Sequence, residues 1–342
     1  MVRVVLFVVF FAFSLGAAEG FVVFSGSGNR DLSEAIAGQL GIDLGRAIVG
    51  RFNDGEIRIQ ILENIRNRDV FIVQSVCLSE EASVNDNLME LFLMIRAMKR
   101  ASAKSVTAVI PYYGYARQDR KTQGRVPISA SDVAMMLETA GADHLISVDL
   151  HCGQIQGFFH QVPVDNLYAS YMFVPHIAKL GLHDVVVISP DAGGVERANH
   201  FLEGLRLLGI PARLAVFVKQ RSAPGVVASM NLVGDVQGCD TVIIDDICDT
   251  AGTLVEAAKE LKGRGARRIF ACVTHPLLSG PACERIGSST LEQLIVTDTI
   301  PMRGGVPANI CQVSIAPLLA AAILRTNNGE SLSQLFTFPP AM

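Results

Sequence analysis

The chain has 342 residues, of which 50% are apolar and 18% are charged. This length suits about two domains with sizeable cores, and the composition is too apolar for an intrinsically disordered chain. The 29 basic and 33 acidic residues give a formal charge of −4, which excludes a general nucleic-acid binder, because such a protein needs a basic face.

The first 20 residues differ from the rest of the chain. Arg3 precedes an apolar stretch from Val4 to Leu15, and small residues follow at 16–18, which is the pattern of a secretory signal peptide. The stretch is shorter than the roughly 20 residues that a membrane span needs, so we expect no stable membrane association. A wrongly assigned start codon and an extra buried segment are the alternatives. We treat residues 1–20 as a hydrophobic extension outside the predicted fold.

From Phe21 onward, short apolar segments alternate with longer amphipathic ones. Most of the short segments are continuous runs of Val, Ile, Leu and Phe, as strands buried on both faces require. The predicted strands are Phe21–Ser25, Val70–Ser75, Ser105–Pro111, Leu145–Asp149, Val185–Ser189, Ala212–Val218, Thr241–Ile244 and Arg268–Thr274.

Three of the longer segments have helical patterns. In Val84–Ala101 the apolar residues recur at spacings of three and four and form one stripe. Ser131–Ala140 and Gly252–Gly263 have similar patterns, and a glycine ends the latter. Alternation of strands and helices over this length predicts an α/β fold with mostly parallel sheets flanked by helices.

A short internal similarity favours two domains of similar structure. Residues 103–110 (AKSVTAVI) resemble residues 266–273 (ARRIFACV), which lie 163 residues later, about half the chain length. A match this short can also arise by chance, because helix-to-strand junctions look alike. We expect an N-terminal domain over 21–166, a C-terminal domain over 167–325, and a tail over 326–342 that packs back on the N-terminal domain.

The strongest signal for a functional site is the loop at residues 242–253. An apolar strand is followed by Asp245 and Asp246, and then by a turn of small residues that opens a helix. Ligands of parallel sheets bind beyond the carboxyl ends of the strands, and small residues let the N–H groups of a helix N-terminus approach a phosphate. Adjacent carboxylates suit two vicinal sugar hydroxyls or a hydrated Mg²⁺. The alternative is a capped helix start with solvated acids, which the whole twelve-residue pattern disfavours.

This loop resembles the phosphoribosyl-diphosphate (PRPP) binding loop of type I phosphoribosyltransferase folds. Further segments narrow the resemblance to the ribose-phosphate diphosphokinases, or PRPP synthetases, and most closely to their phosphate-activated, ADP-inhibited class. These segments are Phe52–Glu56, Asn85–Leu91, Ile110–Lys121, Val148–His151, Gln154–Phe159, Ser189–Gly194 and Thr274–Pro281. The resemblance implies that both domains have a phosphoribosyltransferase-like fold.

The resemblance also implies an activity. Such enzymes transfer the diphosphoryl group of ATP to the 1-hydroxyl of ribose 5-phosphate, giving PRPP and AMP, with Mg²⁺ as cofactor. Their metal-site residues match His151 and Asp191, each of which closes an apolar strand at the same predicted sheet edge; for an isolated histidine the alternative is a hydrogen-bonded core residue. The positions implied for ribose 5-phosphate are Asp245 and Asp246 at the sugar hydroxyls, and Asp249, Thr250, Ala251, Gly252 and Thr253 at the 5-phosphate.

Two segments match ATP-binding residues of the family. Arg117, Gln118 and Asp119 follow a tyrosine-rich turn, and the resemblance implies that Arg117 contacts the ATP phosphates and that Gln118 lies near adenine. The basic residues around them also fit a solvated face. Phe52, Asp54 and Glu56 match a segment that reaches adenine from a neighbouring subunit, although residues 53–55 alone indicate a turn between strands.

Lys219 and Arg221 match the two cations of the family's mobile catalytic loop. They come directly after the predicted strand Ala212–Val218, and the resemblance implies that they reach the transferred group. The loop departs from common family versions, because Gln220, Ser222 and Ala223 occupy positions that are often cationic.

Family members are homohexamers built from dimers, with the active site near a subunit interface, and phosphate or ADP binds them at a second site between subunits. The positions that match this effector site are Arg66, Arg125, Asp165, Asn166, Ser331 and Ser333. At the position of Gly153 several relatives have Ser, and at the position of Cys152 they have Ala. The segment 159–163 is also one residue longer than usual in the family. Phosphate activation is therefore a hypothesis.

Three functions fit the sequence to different degrees. An active Mg²⁺-dependent diphosphokinase is favoured. A catalytically silent regulatory relative has no support, because His151, Asp191, Lys219 and Arg221 are all present. A phosphoribosyltransferase that consumes PRPP would share the 242–253 loop but has no use for the Arg117–Asp119 segment.

The odd number of cysteines, without a CxxC pair, indicates a reducing compartment, so we expect a cytoplasmic enzyme.

Overall fold

The computed structural model describes residues 20–223 and 226–335, with side chains left out at 219–230. Nearly all of the predicted N-terminal extension, residues 1–19, lies outside the described residues. The helices in the described ranges are Arg30–Leu40 (α1), Val84–Arg100 (α2), Ser129–Ala140 (α3), Ser170–Ala178 (α4), Val195–Leu207 (α5), Gly252–Gly263 (α6), Ala282–Gly287 (α7) and Ala316–Asn327 (α8). No described helix is both long and apolar enough to cross a membrane.

The described strands form three sheets. Their bounds are Phe21–Ser25 (β1), Ala47–Arg51 (β2), Ile57–Ile61 (β3), Asp69–Val73 (β4), Ser105–Ile110 (β5), His144–Val148 (β6), Val164–Leu167 (β7), Val185–Ser189 (β8), Ala212–Ala223 (β9), Val226–Val233 (β10), Asp240–Cys248 (β11), Arg268–Pro276 (β12), Gln293–Thr297 (β13) and Ile310–Val313 (β14). Short 3₁₀ helices cover Gly153–Phe158 and Ser333–Leu335.

The first sheet is parallel throughout, in the order β1-β4-β5-β6-β7. The second has the order β10-β9-β8-β11-β12-β13-β14 and is parallel except for the β9–β10 hairpin at its edge. A separate antiparallel pair consists of β2 and β3. The central strands are buried along nearly their whole length, as their unbroken apolar runs require. The predicted α/β class with two similar, mostly parallel sheets is confirmed.

The same elements recur in the same order in both halves. Strands β1, β4, β5, β6 and β7 occupy the positions in the first sheet that β8, β11, β12, β13 and β14 occupy in the second. Each half also packs its last helix against the other half. Helix α8 follows the last strand of the second sheet and packs on α1, and α4 follows the last strand of the first sheet and packs on α5. The two similar segments at 103–110 and 266–273 lead into β5 and β12.

Every predicted strand is present, and three of them, β9, β11 and β12, continue at least two residues past their predicted ends. Strand β9 continues past Val218 to Ala223, because it pairs with β10 as far as its end, so the backbone of Lys219 and Arg221 belongs to a strand. Strand β11 continues past Ile244 to Cys248, because it pairs with β12 along its whole length. The predicted turn at 53–55 joins β2 and β3.

Local signals explain where α2 begins. Ser83 and Asp86 form a capping box, in which the hydroxyl of Ser83 accepts from the N–H of Asp86 and the carboxylate of Asp86 accepts from the N–H of Ser83. Lys99 and Arg100 lie in the last turn, where cations are favoured by the helix dipole. The buried stripe of α2 packs on the first sheet, as its three-and-four spacing predicts.

Candidate active site

The loop after β11 has the conformation that a small-residue turn allows. Ala251 has a φ of 59°, in the left-handed region, directly before α6 begins at Gly252. The side chain of Ala251 is buried, whereas Thr250, Gly252 and Thr253 are exposed. The carbonyl of Thr250 accepts a hydrogen bond of 2.9 Å from Arg285, and the carbonyl of Asp249 accepts one of 2.9 Å from the N–H of Ser279. The turn is thus fixed from outside and presents a helix N-terminus to solvent.

An imidazole from the first half reaches the acid pair at the end of β11. His151, on the loop after β6, lies with Nδ1 2.7 Å from Oδ2 of Asp246, which is only 5% exposed. The hydrogen bond to Asp246 raises the pKa of His151, although burial opposes the rise. Burial disfavours the charge of Asp246, but the contacts with His151 and Arg197 hold the pKa of that carboxyl below its usual range. Burial and the neighbouring Asp246 carboxylate raise the pKa of Asp245.

Arg197 lies at the centre of the acidic cluster. Its Nη1 is 3.4 Å from Oδ1 of Asp246, its Nε is 3.8 Å from Oδ1 of Asp149, and its side chain is 14% exposed. Burial works against its charge, but the surrounding carboxylates of Asp246, Asp149, Asp245 and Asp191 raise the pKa of Arg197. Arg197 is therefore a permanent, largely buried cation that neutralises part of the acidic charge at this sheet edge.

Asp149 connects the two halves beneath Arg197. Its Oδ2 accepts hydrogen bonds from the N–H of Ala169 at 3.1 Å and from the hydroxyl of Thr274, on β12, at 2.6 Å. The backbone of Asp149 has a φ of 41°, and its carbonyl lies 3.2 Å from Nε2 of the buried His275. These contacts fix the start of the loop that carries His151.

Asp191 follows β8 and is held by its own turn. Its Oδ1 accepts hydrogen bonds from the N–H groups of Gly193 and Gly194, at 3.0 and 3.1 Å. Its charge acts on Arg197 and on Asp245, which brings the β8 loop into the same cluster. In the described part of the chain, no group of three or more His, Cys, Asp or Glu side chains forms a complete metal-ligand set. A cation here would therefore need ligands from substrate or water as well.

The three residues of the predicted ATP loop each contact a different part of the chain. Nη1 of Arg117 lies 2.7 Å from Oδ2 of Asp249, so this loop reaches the turn after β11. Burial opposes ionisation of Asp249, but the hydrogen bonds from Arg117 and Ser279 lower the pKa of that carboxyl. Gln118 contacts the first turn of α3, where its backbone carbonyl accepts a hydrogen bond from the N–H of Ala130. Asp119 accepts a hydrogen bond from the thiol of Cys152, next to His151. Burial, and then this contact with Asp119, raise the pKa of the thiol to about 11.

Phe52, Asp54 and Glu56 lie on the exposed hairpin between β2 and β3. Among the described residues, their polar contacts stay within that hairpin: Glu56 donates its N–H to the carboxylate of Asp54, and Phe52 donates its N–H to the carbonyl of Glu56. The ring of Phe52 is 52% exposed, with the guanidinium of Arg58 5.8 Å from its centre. The structure therefore places these residues apart from the His151–Asp246 cluster within one chain.

The remaining predicted residues have separate surroundings. The side chains of Lys219 and Arg221 lie outside the described residues, and their backbone pairs with β10. Asp165 bonds to His144, at the start of β6, at 2.6 Å. Asn166 accepts from the N–H of Leu150 at 2.9 Å and so supports the loop after β6. Arg66 donates to Ser102, and Ser331 donates to Ser333. Arg125 has a φ of 62° on an exposed turn.

Two residues of the cluster were not among the predicted site residues. Asp149 stands in the Val148–His151 segment, and Arg197 stands three residues after Gly194. A signal for Asp149 was present, because it closes a buried strand as His151 and Asp191 do. Arg197 had no such signal, since a lone arginine early in an amphipathic helix usually faces solvent.

Comparisons with known proteins point to one family. The family model described as the N-terminal domain of ribose phosphate pyrophosphokinase matches residues 21–141, and the phosphoribosyl synthetase-associated domain matches residues 217–337. The chain is 48% identical to the ribose-phosphate pyrophosphokinase of Ralstonia nicotianae, over 94% of this chain and 99% of that one. It is 48% identical to that of Wolinella succinogenes, over 93% and 99%. The crystal structure of phosphoribosylpyrophosphate synthetase from Mycobacterium smegmatis aligns with a TM-score of 0.82 and 38% identity, over 91% of this chain and 100% of that one.

Proposed function

Because the chain belongs to the ribose-phosphate pyrophosphokinase family, we infer that it transfers the diphosphoryl group of ATP to the 1-hydroxyl of ribose 5-phosphate, giving PRPP and AMP. One structural observation supports this function most directly. The small-residue turn after β11, the acid pair before it, and cationic and imidazole side chains from the first half meet at one sheet edge through the His151–Asp246 and Arg117–Asp249 contacts.

Ribose 5-phosphate would bind the loop after β11. The N-terminus of α6, with Thr250 and Thr253 exposed beside it, would hold the 5-phosphate through N–H and hydroxyl donors, together with Ala251 and Gly252. Asp245 and Asp246 would accept hydrogen bonds from the 2- and 3-hydroxyls. Asp246 stays ionised because His151 and Arg197 flank it, so it remains an acceptor when the sugar binds.

ATP would bind across the same edge. Arg117 exchanges its contact with Asp249 for the ATP phosphates, with Gln118 and Asp119 beside it at the adenine and ribose end. Phe52, Asp54 and Glu56 would come from a neighbouring subunit, where the exposed ring of Phe52 can stack on adenine. Lys219 and Arg221 would supply cationic donors to the group in transfer, in a reaction where positioning and charge stabilisation dominate.

Asp191 and His151 would hold a Mg²⁺ ion together with substrate phosphates and water. Mg²⁺ in such enzymes is bound by one or two carboxylates plus phosphate oxygens, which fits a site with few protein ligands. One oxygen of Asp191 is already fixed by two N–H groups, and Asp246 fixes Nδ1 of His151, so both side chains are oriented before an ion binds. The ion would neutralise phosphate charge that develops during transfer.

An adenine site shared between subunits requires self-association. We expect a homohexamer in the cytoplasm, with phosphate or ADP as effectors at a site between subunits that draws on the positions matching the family's effector site, namely Arg66, Arg125, Asp165, Asn166, Ser331 and Ser333. Initial rates measured against phosphate at fixed ATP test the effector role, and a flat response would remove it.

AMP formation from ATP tests the main function. We expect AMP and PRPP in equal amounts only when ribose 5-phosphate and Mg²⁺ are both present. A phosphoribosyltransferase would instead consume PRPP with a nucleobase and form no AMP from ATP. A chain that forms no AMP in the complete mixture, yet binds both substrates, would be a silent relative.

A further inference from the structure

A cavity of about 750 Å³ lies at the carboxyl end of β1, away from the candidate active site. Its walls come from the loop between β1 and α1, the approach to β2, residues 79–81 after β4, and residues 301–303 after β13. It therefore lies between the two halves of the chain. It contains neither the family-matched substrate residues nor the residues that match the family's effector site.

The repeat of the fold relates this cavity to the ribose 5-phosphate site. In the sheet registers, Asp69 pairs with Ser105 and Asp240 pairs with Arg268, so β4 and β11 start at equivalent positions. The first residues of these two strands also form similar ion pairs. Lys104 lies 2.8 Å from Asp69, as Arg267 lies 2.5 Å from Asp240.

Each of the two sites is completed by the opposite half in the same way. At the candidate active site, the loop after β6 supplies His151 to the end of β11. At the cavity, the loop after β13 meets the end of β4, where the hydroxyl of Ser75 donates to the carbonyl of Thr299 at 2.6 Å. Asn29 also donates to the carbonyl of Asp298 at 2.7 Å. The cavity is thus the repeat-related counterpart of the ribose 5-phosphate site.

The loop after β1 is held rigidly at the cavity. The carboxylate of Glu90, 1% exposed, accepts from the N–H of Ser27 at 2.6 Å and from its hydroxyl at 2.7 Å. Gln74 donates to Glu90 at 2.6 Å and accepts from the N–H of Gly28 at 2.9 Å. Buried and hydrogen-bonded side chains therefore support the glycine-rich turn that opens α1. Its counterpart in the second half is the turn at Gly193 and Gly194 that opens α5, which Asp191 holds.

The charges that line the cavity suit a phosphorylated sugar. Arg30, Arg46 and Arg303 come from three different segments, and Arg46 has no ion-pair partner in the described part of the chain. Acidic side chains also line the cavity, namely Asp31, Glu80 and Glu81. Guanidinium groups bind phosphate, and carboxylates accept hydrogen bonds from sugar hydroxyls.

The counterparts of the acid pair are uncharged. By the strand registers, Gln74 and Ser75 occupy the positions of Asp245 and Asp246. Both are already bonded inside the protein, so the cavity lacks the paired carboxylates beside the active-site turn. We propose that this cavity is a second binding site of the chain, which takes a phosphorylated pentose without performing chemistry on it. The comparison with the active-site turn rests on the proposed function.

Equilibrium dialysis with labelled ribose 5-phosphate, in the absence of ATP, tests the proposal on the full chain. We expect a second molecule bound per chain in the wild type, and its loss in the double variant Arg46→Gln/Arg303→Gln. The matched control is Arg58→Gln, an arginine on β3 outside the cavity lining, which should keep both molecules. A single molecule per chain in the wild type, or two in the double variant, would overturn the second site. Melting temperatures and elution volumes equal to those of the wild type show that the variants are folded and assembled.

A second variant distinguishes the cavity from the primary site, which is the proposed ribose 5-phosphate site after β11. Asp246→Asn should lose the other molecule and keep the one that depends on Arg46 and Arg303. If Asp246→Asn kept both, the proposed primary site would be wrong while the cavity site stood. Inorganic phosphate should displace the cavity ligand about tenfold less well than ribose 5-phosphate does, because the sugar hydroxyls add at least one hydrogen bond. Equal displacement would overturn the sugar assignment.

Discussion

The guanidinium of Arg117 lies 2.7 Å from the carboxylate of Asp249, and this ion pair joins a loop of the first half to the turn after β11. Both side chains are partly exposed, at 54% and 29%. An ion pair of this kind contributes only about 0–1 kcal/mol, so a substrate phosphate can replace the carboxylate at little cost. The contact therefore places Arg117 near the turn after β11 without fixing it there.

Replacement of Arg117 should impair ATP binding and leave stability unchanged. We expect Arg117→Gln to raise the KM for ATP about tenfold to a hundredfold, because a charge-assisted hydrogen bond to phosphate contributes about 1.5–3 kcal/mol. Steady-state rates against ATP measure this effect, and a melting curve should match that of the wild type. Arg120→Gln, on the same loop, is the control and should change the KM by less than about twofold. An unchanged KM in Arg117→Gln would refute the phosphate contact.

Arg197 should matter for both stability and sugar binding. Arg197→Met leaves Asp246 and Asp149 buried without their cation, which should lower the free energy of unfolding by about 3 kcal/mol. Arg197→Lys keeps the charge but loses the planar fork, so it should retain more stability while the KM for ribose 5-phosphate rises. Urea unfolding and steady-state kinetics measure the two effects. Equal stability of the Met variant and the wild type would show that Arg197 does not compensate these carboxylates.

Lys219 and Arg221 should affect turnover more than binding. If their side chains reach the group in transfer, Lys219→Ala and Arg221→Ala should each lower kcat about a hundredfold or more, with KM values near those of the wild type. Gln220→Ala lies between them in the same strand and serves as the control. If Gln220→Ala lowered kcat as much as the two cation variants do, the loss would come from disturbance of the strand and not from removal of the cations.

Eight of the fourteen described strands could be predicted, because burial on both faces requires unbroken apolar runs. The buried strand β13 is such a run but was not among the predicted strands, and β2, β7, β10 and β14 were not either. Strand β3 escaped that search because its residues alternate between exposed and half-buried, as in a hairpin with one face in solvent. The ends of β9 and β11 depended on pairing with β10 and β12, which no local pattern records.

For the site, sequence patterns indicated which residues close buried strands, and so brought His151, Asp191 and Asp245 to one edge. They could not indicate which of these residues touch. The contact of His151 with Asp246 depends on how the two halves pack, across 95 residues of chain. The contact of Arg197 with Asp246 depends on packing within the second half, across 49 residues. The repeat-related cavity could be identified only from the sheet registers. In the sequence, the one sign of the repeat was the short similarity between residues 103–110 and 266–273.

Glu138 should hold the segment that contains the extra residue. Its Oε1 accepts hydrogen bonds from the N–H groups of His160, Gln161 and Val162, at 2.7, 2.7 and 3.1 Å. Burial opposes its charge, but these bonds keep the pKa of Glu138 below its usual value. Glu138→Gln should therefore speed amide hydrogen exchange at residues 160–162 about tenfold or more. Glu34→Gln, which removes an exposed ion pair with Arg30, should leave that exchange unchanged.

Asp240 should make the stability of the second half depend on pH. Its carboxylate, fully buried, accepts from Arg267 at 2.5 Å, from Arg268 at 2.7 Å and from the N–H of His183 at 2.8 Å. Burial opposes ionisation, but these bonds lower the pKa of Asp240 well below its usual value. A carboxyl whose pKa is lower in the folded than in the unfolded chain stabilises the fold above the unfolded pKa of about 3.9. That stabilisation is lost as the pH falls toward the folded value.

Urea unfolding at neutral and acidic pH measures this contribution. Asp240→Asn should lower the free energy of unfolding by about 2 kcal/mol at neutral pH, since it loses charge-assisted hydrogen bonds. Between about pH 5 and pH 3 the wild type should lose stability more steeply than the variant, because only the wild-type unfolded chain takes up a proton at this position. Asp69→Asn is the repeat-related control; its carboxylate pairs with Lys104 and is more exposed, so it should cost less. Equal slopes in wild type and Asp240→Asn would place the acid sensitivity elsewhere in the chain.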